Sequence, residues 1–373
     1  MRVCVFGLWH LGSVTAACLA GERFRVVGLD QRKSVIGDLS SGHAPVAEPG
    51  LDDLLDRGIS SGLLSFSSEP AKALSQADVL WVTFDTPLDG KDRGNSEWLR
   101  RQLDSVRPFV EPNTLILMSS QVPVGFTDRL QADWRRTNPT LQFACSPENL
   151  RLGRALDAFR RPERVVLGAG PGVDRDRVAS LLQPFTDRLL WMSLKSAEMT
   201  KHALNGFLAV SVTYANDVAR LCERAGADAA EVELGLRTDR RVGEGAYVSP
   251  GPAIAGGTLL RDVRALGALA ATTGTSVPLI QAVPRSNNAH RAWLRDRVLE
   301  LIGSQPDPCV AILGLTYKPG TNTLRRSASL DLARWLSRAG VRVQAFDPAI
   351  ARLRRPLPLF KLAPTAAEAL AGS

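Results

Sequence analysis

Arg2-Val-Cys-Val-Phe-Gly-Leu-Trp-His-Leu-Gly12, continued through residues 13–20 to Arg25-Val-Val-Gly-Leu-Asp30, is the stretch whose reading decides the fold. Arg2–Phe6 reads as a buried strand, residues 7–12 as a glycine turn, residues 13–20 as a helix and Arg25–Leu29 as a second strand ending at Asp30. That order is a β-α-β unit. Gly7 permits the tight turn, and Gly12 lets helix and strand pack closely. The middle glycine of a G-x-G-x-x-G turn, which lets backbone approach a pyrophosphate, is replaced by Trp9. The turn can serve only if that side chain swings away. Asp30 stands where a carboxylate accepts hydrogen bonds from an adenosine ribose, and it disfavours a 2′-phosphate, so NAD is expected over NADP. The bland alternative is a strand turn of the same shape that binds nothing.

Further apolar runs follow at residues 79–84, Leu115–Met118, 143–145 and 165–167, with helical stretches at Pro70–Leu74 and 99–106. Strands alternating with helices predict an α/β fold with a doubly wound, mostly parallel Rossmann-like sheet. Residues 196–225 then read as one long helix interrupted only by Gly206 and ended by Gly226. A Gly/Pro-rich loop covers residues 243–257, and helices resume at 262–272 and 289–302. The strand Cys309–Leu313, a helix at 329–339 and a strand at 341–346 echo the first β-α-β unit, with few residues remaining for a full domain of that kind. The expected domains are 1–193, a central helical region 194–303, and a shortened Rossmann-like C-terminal domain 304–373.

The bulk numbers exclude several classes. The chain has 373 residues, 45% hydrophobic, with a net charge of +8. Its arginines are scattered rather than concentrated, which argues against nucleic acid and for anionic small-molecule sites. Cysteines at 4, 18, 145, 222 and 309 have no CxxC spacing, as expected of reduced thiols in a cytoplasmic protein. The four histidines at 10, 43, 202 and 290 lie far apart and give no metal-ligand pattern, so no metal is expected. No uncharged run reaches the ~20 residues of a membrane span, and a strand beginning at Arg2 leaves no room for a signal peptide.

Six blocks carry a resemblance. They are Glu48-Pro-Gly-Leu51, Thr86-Pro-Leu88, Val122-Pro-Val-Gly125, Ser146-Pro-Glu-Asn-Leu-Arg151, Ala197-Glu-Met-Thr-Lys-His-Ala-Leu-Asn205 and Leu315-Thr-Tyr-Lys-Pro-Gly-Thr321. In this order and spacing the chain resembles the UDP-glucose/GDP-mannose dehydrogenase family over nearly its whole length. The resemblance implies an NAD-dependent enzyme that oxidises an alcohol of a nucleotide sugar, and a homodimer built on the central helix. It implies catalytic roles for Lys201, Asn205, Asp262 and Glu148, and cofactor contacts for Gly7, Gly12, Asp30, Thr86, Gln121 and Arg325. Substrate contacts fall to Leu150, Arg151, Arg241, Tyr247, Gly251, Gly256 and Lys318. Lys201 and Asn205, four apart on a helix, share a face. Glu148 can equally be read as a first-turn helix acid beside an N-terminal dipole.

The departures are as informative. Aligning Asp262 with the family aspartate puts Thr258 at the nucleophilic cysteine. Leu152 replaces a second glutamate, Gln121 a threonine, and Arg326 an acid. A hydroxyl is a far weaker nucleophile than a thiolate, so a thioester route is disfavoured while the groups for alcohol deprotonation remain. Cys145, one residue before Ser146-Pro-Glu148, is a substitute thiol only if it is more than a small buried hydrophobe. Four outcomes stay open at this point: a two-electron dehydrogenase, an epimerase that oxidises transiently with retained NAD, a four-electron dehydrogenase without cysteine, and a non-catalytic binder.

Overall fold

The computed structural model describes the whole chain apart from residues 88–93, 149, 151, 256–257, 317–323, 325–326 and 351–358. Two compact units emerge, Met1–Lys201 and His202–Ser373. The first is built on β1 (Arg2–Phe6), β2 (Arg25–Leu29), β3 (Leu64–Ser67), β4 (Val79–Val82), β5 (Leu115–Met118), β6 (Gln142–Cys145), β7 (Val165–Ala169) and β8 (Leu189–Ser193). They form one sheet in the order β3-β2-β1-β4-β5-β6-β7-β8, parallel throughout except where β6 meets β7.

Alternation within the strands explains how one sheet carries two cores. Along β1, Val3 and Val5 enter one cluster, with Leu115 and Leu117 of β5. Cys4 and Phe6 enter the other, with Ile116 and Met118. Successive side chains of a strand point to opposite faces, so a run buried at every position requires cover on both sides. The strand order reverses between β1 and β4, which opens a crevice at the carboxyl ends of these strands, the place where such sheets bind ligands.

β3 and β8 escape the reading from sequence. β8 has no fully buried residue, and β3 is four residues long. Such short or half-exposed runs carry little periodic signal.

The central helix spans Leu194–Ala225 and continues into the second unit, followed by helices Ala229–Thr238, Thr258–Thr273 and Pro278–Ile302. The last begins eleven residues before the expected start at 289, and Pro284 inside it is the reason the signal was obscured. Helix Thr258–Thr273 likewise begins before the expected residue 262, placing Thr258 as its first residue. β9 (Cys309–Leu313), β10 (Arg342–Phe346) and β11 (Lys361–Leu362) make a parallel sheet in the order β11-β10-β9, with helices Ala328–Arg338 and Ala366–Leu370. β11 and the last helix are additions to the β-α-β opening expected there.

The echo between the two β-α-β openings extends to individual bonds. Gly7 (φ +99°) follows β1, and Gly314 (φ +94°) follows β9. The N–H of Gly7 donates to Leu29 O at 2.9 Å, and that of Gly314 to Phe346 O at 2.8 Å. Asp30 Oδ2 accepts from Leu8 N at 3.0 Å, as Asp347 Oδ2 accepts from Leu315 N at 2.7 Å. Both aspartates close their turn in the same way, each at the end of the second strand.

Candidate active site

At the carboxyl edge of the first sheet, the glycine turn has no room for side chains. A Cβ on Gly12 would lie 2.0 Å from Gly7 O, and one on Gly7 would lie 2.7 Å from the Phe84 ring. Trp9 is 40% exposed and lies beneath the guanidinium of Arg32, 5.7 Å from its ring centroid. Its side chain has swung outward, as the turn requires. Asp30, buried, accepts from Arg32 Nε at 2.9 Å, from Arg32 NH2 at 2.8 Å and from Arg32 N at 3.0 Å, besides Leu8 N. Burial acts to raise its pKa, but the Arg32 hydrogen bonds and the backbone donors outweigh it and hold the carboxyl below the usual carboxylate range.

The next two loops meet directly. Thr86, after β4, donates from Oγ1 to Gln121 O, after β5, at 2.9 Å. These two cofactor candidates therefore stand on neighbouring strands beside the turn. Glu48, buried, takes His10 Nε2 at 2.9 Å, Gly153 N at 2.9 Å and Ala155 N at 2.7 Å. It fastens the loop after β6 to the first turn of the first helix, His10–Gly21. Glu148 lies in that loop, and its carboxylate accepts from Leu150 N. The following helix starts only at Ala155, so the reading of Glu148 as a first-turn helix acid does not hold.

Lys201, Glu198, Gln121 and Cys145 line a small cleft in the same unit. Glu198 caps the helix Phe126–Trp134, accepting from Gly125 N and from Thr127 N at 2.9 Å. Burial raises its pKa against those donors. Cys145 is 1% exposed, its Sγ donates to Leu194 O at 3.6 Å, and burial, with Glu198 nearby, raises its pKa. A thiol so held stays protonated and is a poor nucleophile.

In the second unit, Asn205 and Asp262 are brought together: Asn205 Nδ2 donates to Asp262 Oδ2. His202 Nδ1 stands 2.6 Å from Asp262 Oδ1. All three side chains are buried, Asp262 completely. Gly206 faces the helix that carries Asp262, where a Cβ would lie 2.8 Å from Leu266 Cδ1 and would make that side chain shift. Thr258, one turn before Asp262, is exposed.

The loop ahead of it is tied down by groups the sequence did not announce. Gly251 N donates to Asn216 Oδ1 at 2.9 Å, and His290 Nε2 donates to Gly251 O at 2.8 Å. Ile254 N donates to Asn287 Oδ1 at 2.7 Å. Tyr247 is 51% exposed, and Arg241 is bound to Asp239 two residues away, at 2.6 Å and 3.0 Å. These two are not gathered with Asp262. Arg151, Gly256, Lys318 and Arg325 lie outside the described residues. So does Arg326, while Leu152 is half-buried.

His202 and Glu48 stand within quoted blocks, but the contacts they make were not readable from sequence. Their partners are 60 and 38 residues away, beyond any local spacing rule. Among the described residues no cluster of histidine, cysteine and carboxylate suits a metal, and no helix is long and apolar enough to cross a membrane.

The turn, its cradle at Gly12 and the ionised Asp30 fit a dinucleotide with an unmodified adenosine ribose. Gly7 and Gly12 would admit the pyrophosphate at the helix N-terminus, and Asp30 would take the ribose hydroxyls by sharing itself with Arg32.

Comparison with known proteins agrees with this geometry. The UDP-glucose/GDP-mannose dehydrogenase family models match in order along the chain: the NAD binding domain at residues 1–186, the central domain at 195–289 and the UDP binding domain at 311–373. The UDP-glucose 6-dehydrogenase of Pseudomonas aeruginosa is 32% identical over 360 residues, covering 93% of this chain and 79% of that protein. Bacillus subtilis TuaD, also a UDP-glucose 6-dehydrogenase, is 30% identical over 350 residues, covering 93% and 76%. A UDP-glucose dehydrogenase structure from Pyrobaculum islandicum superposes with a TM-score of 0.87 at 29% identity, covering 97% of this chain and 86% of that one.

Proposed function

Because this chain belongs to the UDP-glucose/GDP-mannose dehydrogenase family, a family of NAD-dependent nucleotide-sugar dehydrogenases, we propose that it oxidises a carbinol of a nucleotide sugar by two electrons and releases the carbonyl. NAD⁺, when bound, accepts the hydride. The observation that carries the two-electron limit is Thr258 at the head of its helix, one turn before the buried Asp262. Between Cys222 and Cys309 the sequence contains no thiol at all.

The remaining residues have definite tasks in this reading. The Lys201 ammonium stabilises the developing alkoxide. Asn205 orients Asp262 through their hydrogen bond. Gly7, Gly12, Asp30, Thr86 and Gln121 hold the dinucleotide, and the resemblance assigns Glu148, Leu150 and Gly251 to the sugar. Thioester formation needs an accessible thiolate, and the buried Cys145 does not offer one.

A dimer through the central helix accompanies this reading. Phe207, Tyr214 and Leu221 recur every seventh residue and are 67%, 51% and 69% exposed. A heptad stripe of large apolar side chains is the seam of helix pairing, and a second copy of the same helix would cover it. The reduced thiols favour a cytoplasmic setting.

The test is incubation with NAD and a panel of nucleotide sugars, with hydroxylamine present to trap a carbonyl. An oxime with NADH supports the proposal. A uronate formed with no trapped carbonyl, or no NADH with any sugar, sinks it.

A further inference from the structure

We infer that Arg32 decides which dinucleotide the glycine turn accepts: its guanidinium competes with an unmodified ribose for Asp30 and offers itself to a ribose 2′-phosphate, so that the site takes NADP as well as NAD. This rests on the dinucleotide site described above, all of it in the first unit, and holds whether the sugar loses two electrons or four.

The carboxylate of Asp30 is full as it stands. Oδ1 accepts from the N and Nε of Arg32, and Oδ2 from Leu8 N and one terminal guanidinium nitrogen of Arg32. A carboxylate offers about four acceptor sites, and here each has its donor. The two backbone donors are fixed by the chain. A ribose hydroxyl therefore reaches Asp30 only by displacing the guanidinium. Arg32 is the exposed partner, with 53% of its side chain accessible against 3% for Asp30. The ring of Trp9 lies under it. Gln31, between the pair, is anchored by Nε2 to Ser105 Oγ at 2.7 Å. The arginine side chain can thus swing off while the backbone around it stays.

A bare carboxylate at the strand end repels a 2′-phosphate, since a phosphate monoester carries about −1.5 to −2 charge at pH 7. Here the guanidinium covers that carboxylate and offsets its charge. Its second terminal nitrogen, Nη1, makes no hydrogen bond among the described residues. Lys33, the next residue, is exposed, and no acid occurs from residue 31 to residue 37. The forked donors of an arginine match phosphate oxygens. NAD binds with Arg32 displaced from Asp30, NADP with the pair intact.

The test is calorimetric titration of the full chain with NAD⁺ and with NADP⁺, for the parent and for Arg32→Ala. The parent should bind NADP⁺ within about tenfold of NAD⁺. Arg32→Ala loses charged hydrogen bonds to the phosphate and should raise the ratio of the NADP⁺ to the NAD⁺ dissociation constant by about tenfold or more. It should bind NAD⁺ no more weakly than the parent does. A parent that binds NADP⁺ more weakly than that limit overturns the inference, whether or not the variant folds. A smaller change of the ratio in Arg32→Ala overturns it too, as does weakened NAD⁺ binding there, which would make Arg32 a support for the ribose and not its rival. These outcomes leave the NAD site standing; a parent that binds neither dinucleotide overturns the site as well.

Discussion

Arg32 grips Asp30 through two side-chain bonds, Nε to Oδ1 at 2.9 Å and NH2 to Oδ2 at 2.8 Å, over the outward face of Trp9. The carboxylate that would receive the ribose is therefore preordered but shared. Its replacement removes a charged acceptor that a ribose hydroxyl would use, worth about 1.5–3 kcal/mol. Asp30→Asn should weaken NAD binding by at least about tenfold, measured by calorimetric titration, and unchanged affinity would remove Asp30 from the cofactor site.

The two turn positions predict opposite outcomes. Gly12→Ala drives a Cβ into the backbone oxygen of Gly7, which cannot yield as a flexible side chain would. Such overpacking costs about 1–3 kcal/mol, seen as a lower Tm together with lost NAD binding. Trp9→Gly removes an exposed side chain and restores the small residue beside the pyrophosphate. It should leave Tm nearly unchanged and tighten NAD binding severalfold; weaker binding would mean that Trp9 itself contacts the cofactor.

Acid should act through the two strand-end aspartates. For Asp347, as for Asp30, burial raises the pKa but backbone donors, here Thr316, Leu315 and Ala349, outweigh it and lower the value. A folded pKa below the unfolded one gives stability that is full above the ordinary carboxylate value of about 4. That stability is lost as pH falls through the depressed value. Asp347→Asn should therefore destabilise at pH 7 and flatten the loss of stability below about pH 4, read from urea unfolding across pH. Glu198, whose burial raises its pKa, has the opposite sign: the pH dependence of its contribution reduces stability as pH rises between its unfolded and folded values.

The exposed heptad stripe gives a prediction about assembly. Placing an aspartate at the centre of an apolar seam leaves a charge buried or the seam apart. Tyr214→Asp should convert a dimer to a monomer in sedimentation velocity. A parent that sediments as a monomer would contradict the dimer outright.

The sheet was legible because β1, β4 and β5 are uninterrupted apolar runs between turn residues, and the strand-turn-helix order around Gly7 admits few other folds. β8 was not, since its residues are only partly buried and lack a clear period. Lys201, Asn205 and Asp262 could be picked out by resemblance, but the contact between Asn205 and Asp262 joins two helices 57 residues apart in sequence, a long-range fact. His202 was overlooked because histidines far apart in sequence suggest no shared site. Its carboxylate arrives from a helix sixty residues later.

Thr258 remains the point on which the chemistry turns. Its replacement by cysteine restores sulfur at the position the family reads as nucleophile, so Thr258→Cys should raise the number of NADH formed per sugar above that of the parent. The most direct measurement is that number in the parent protein, counted by absorbance against nucleotide sugar consumed, with the product identified by mass. One NADH per sugar and a carbonyl product is the predicted result; two NADH per sugar and a carboxylate product would contradict the account.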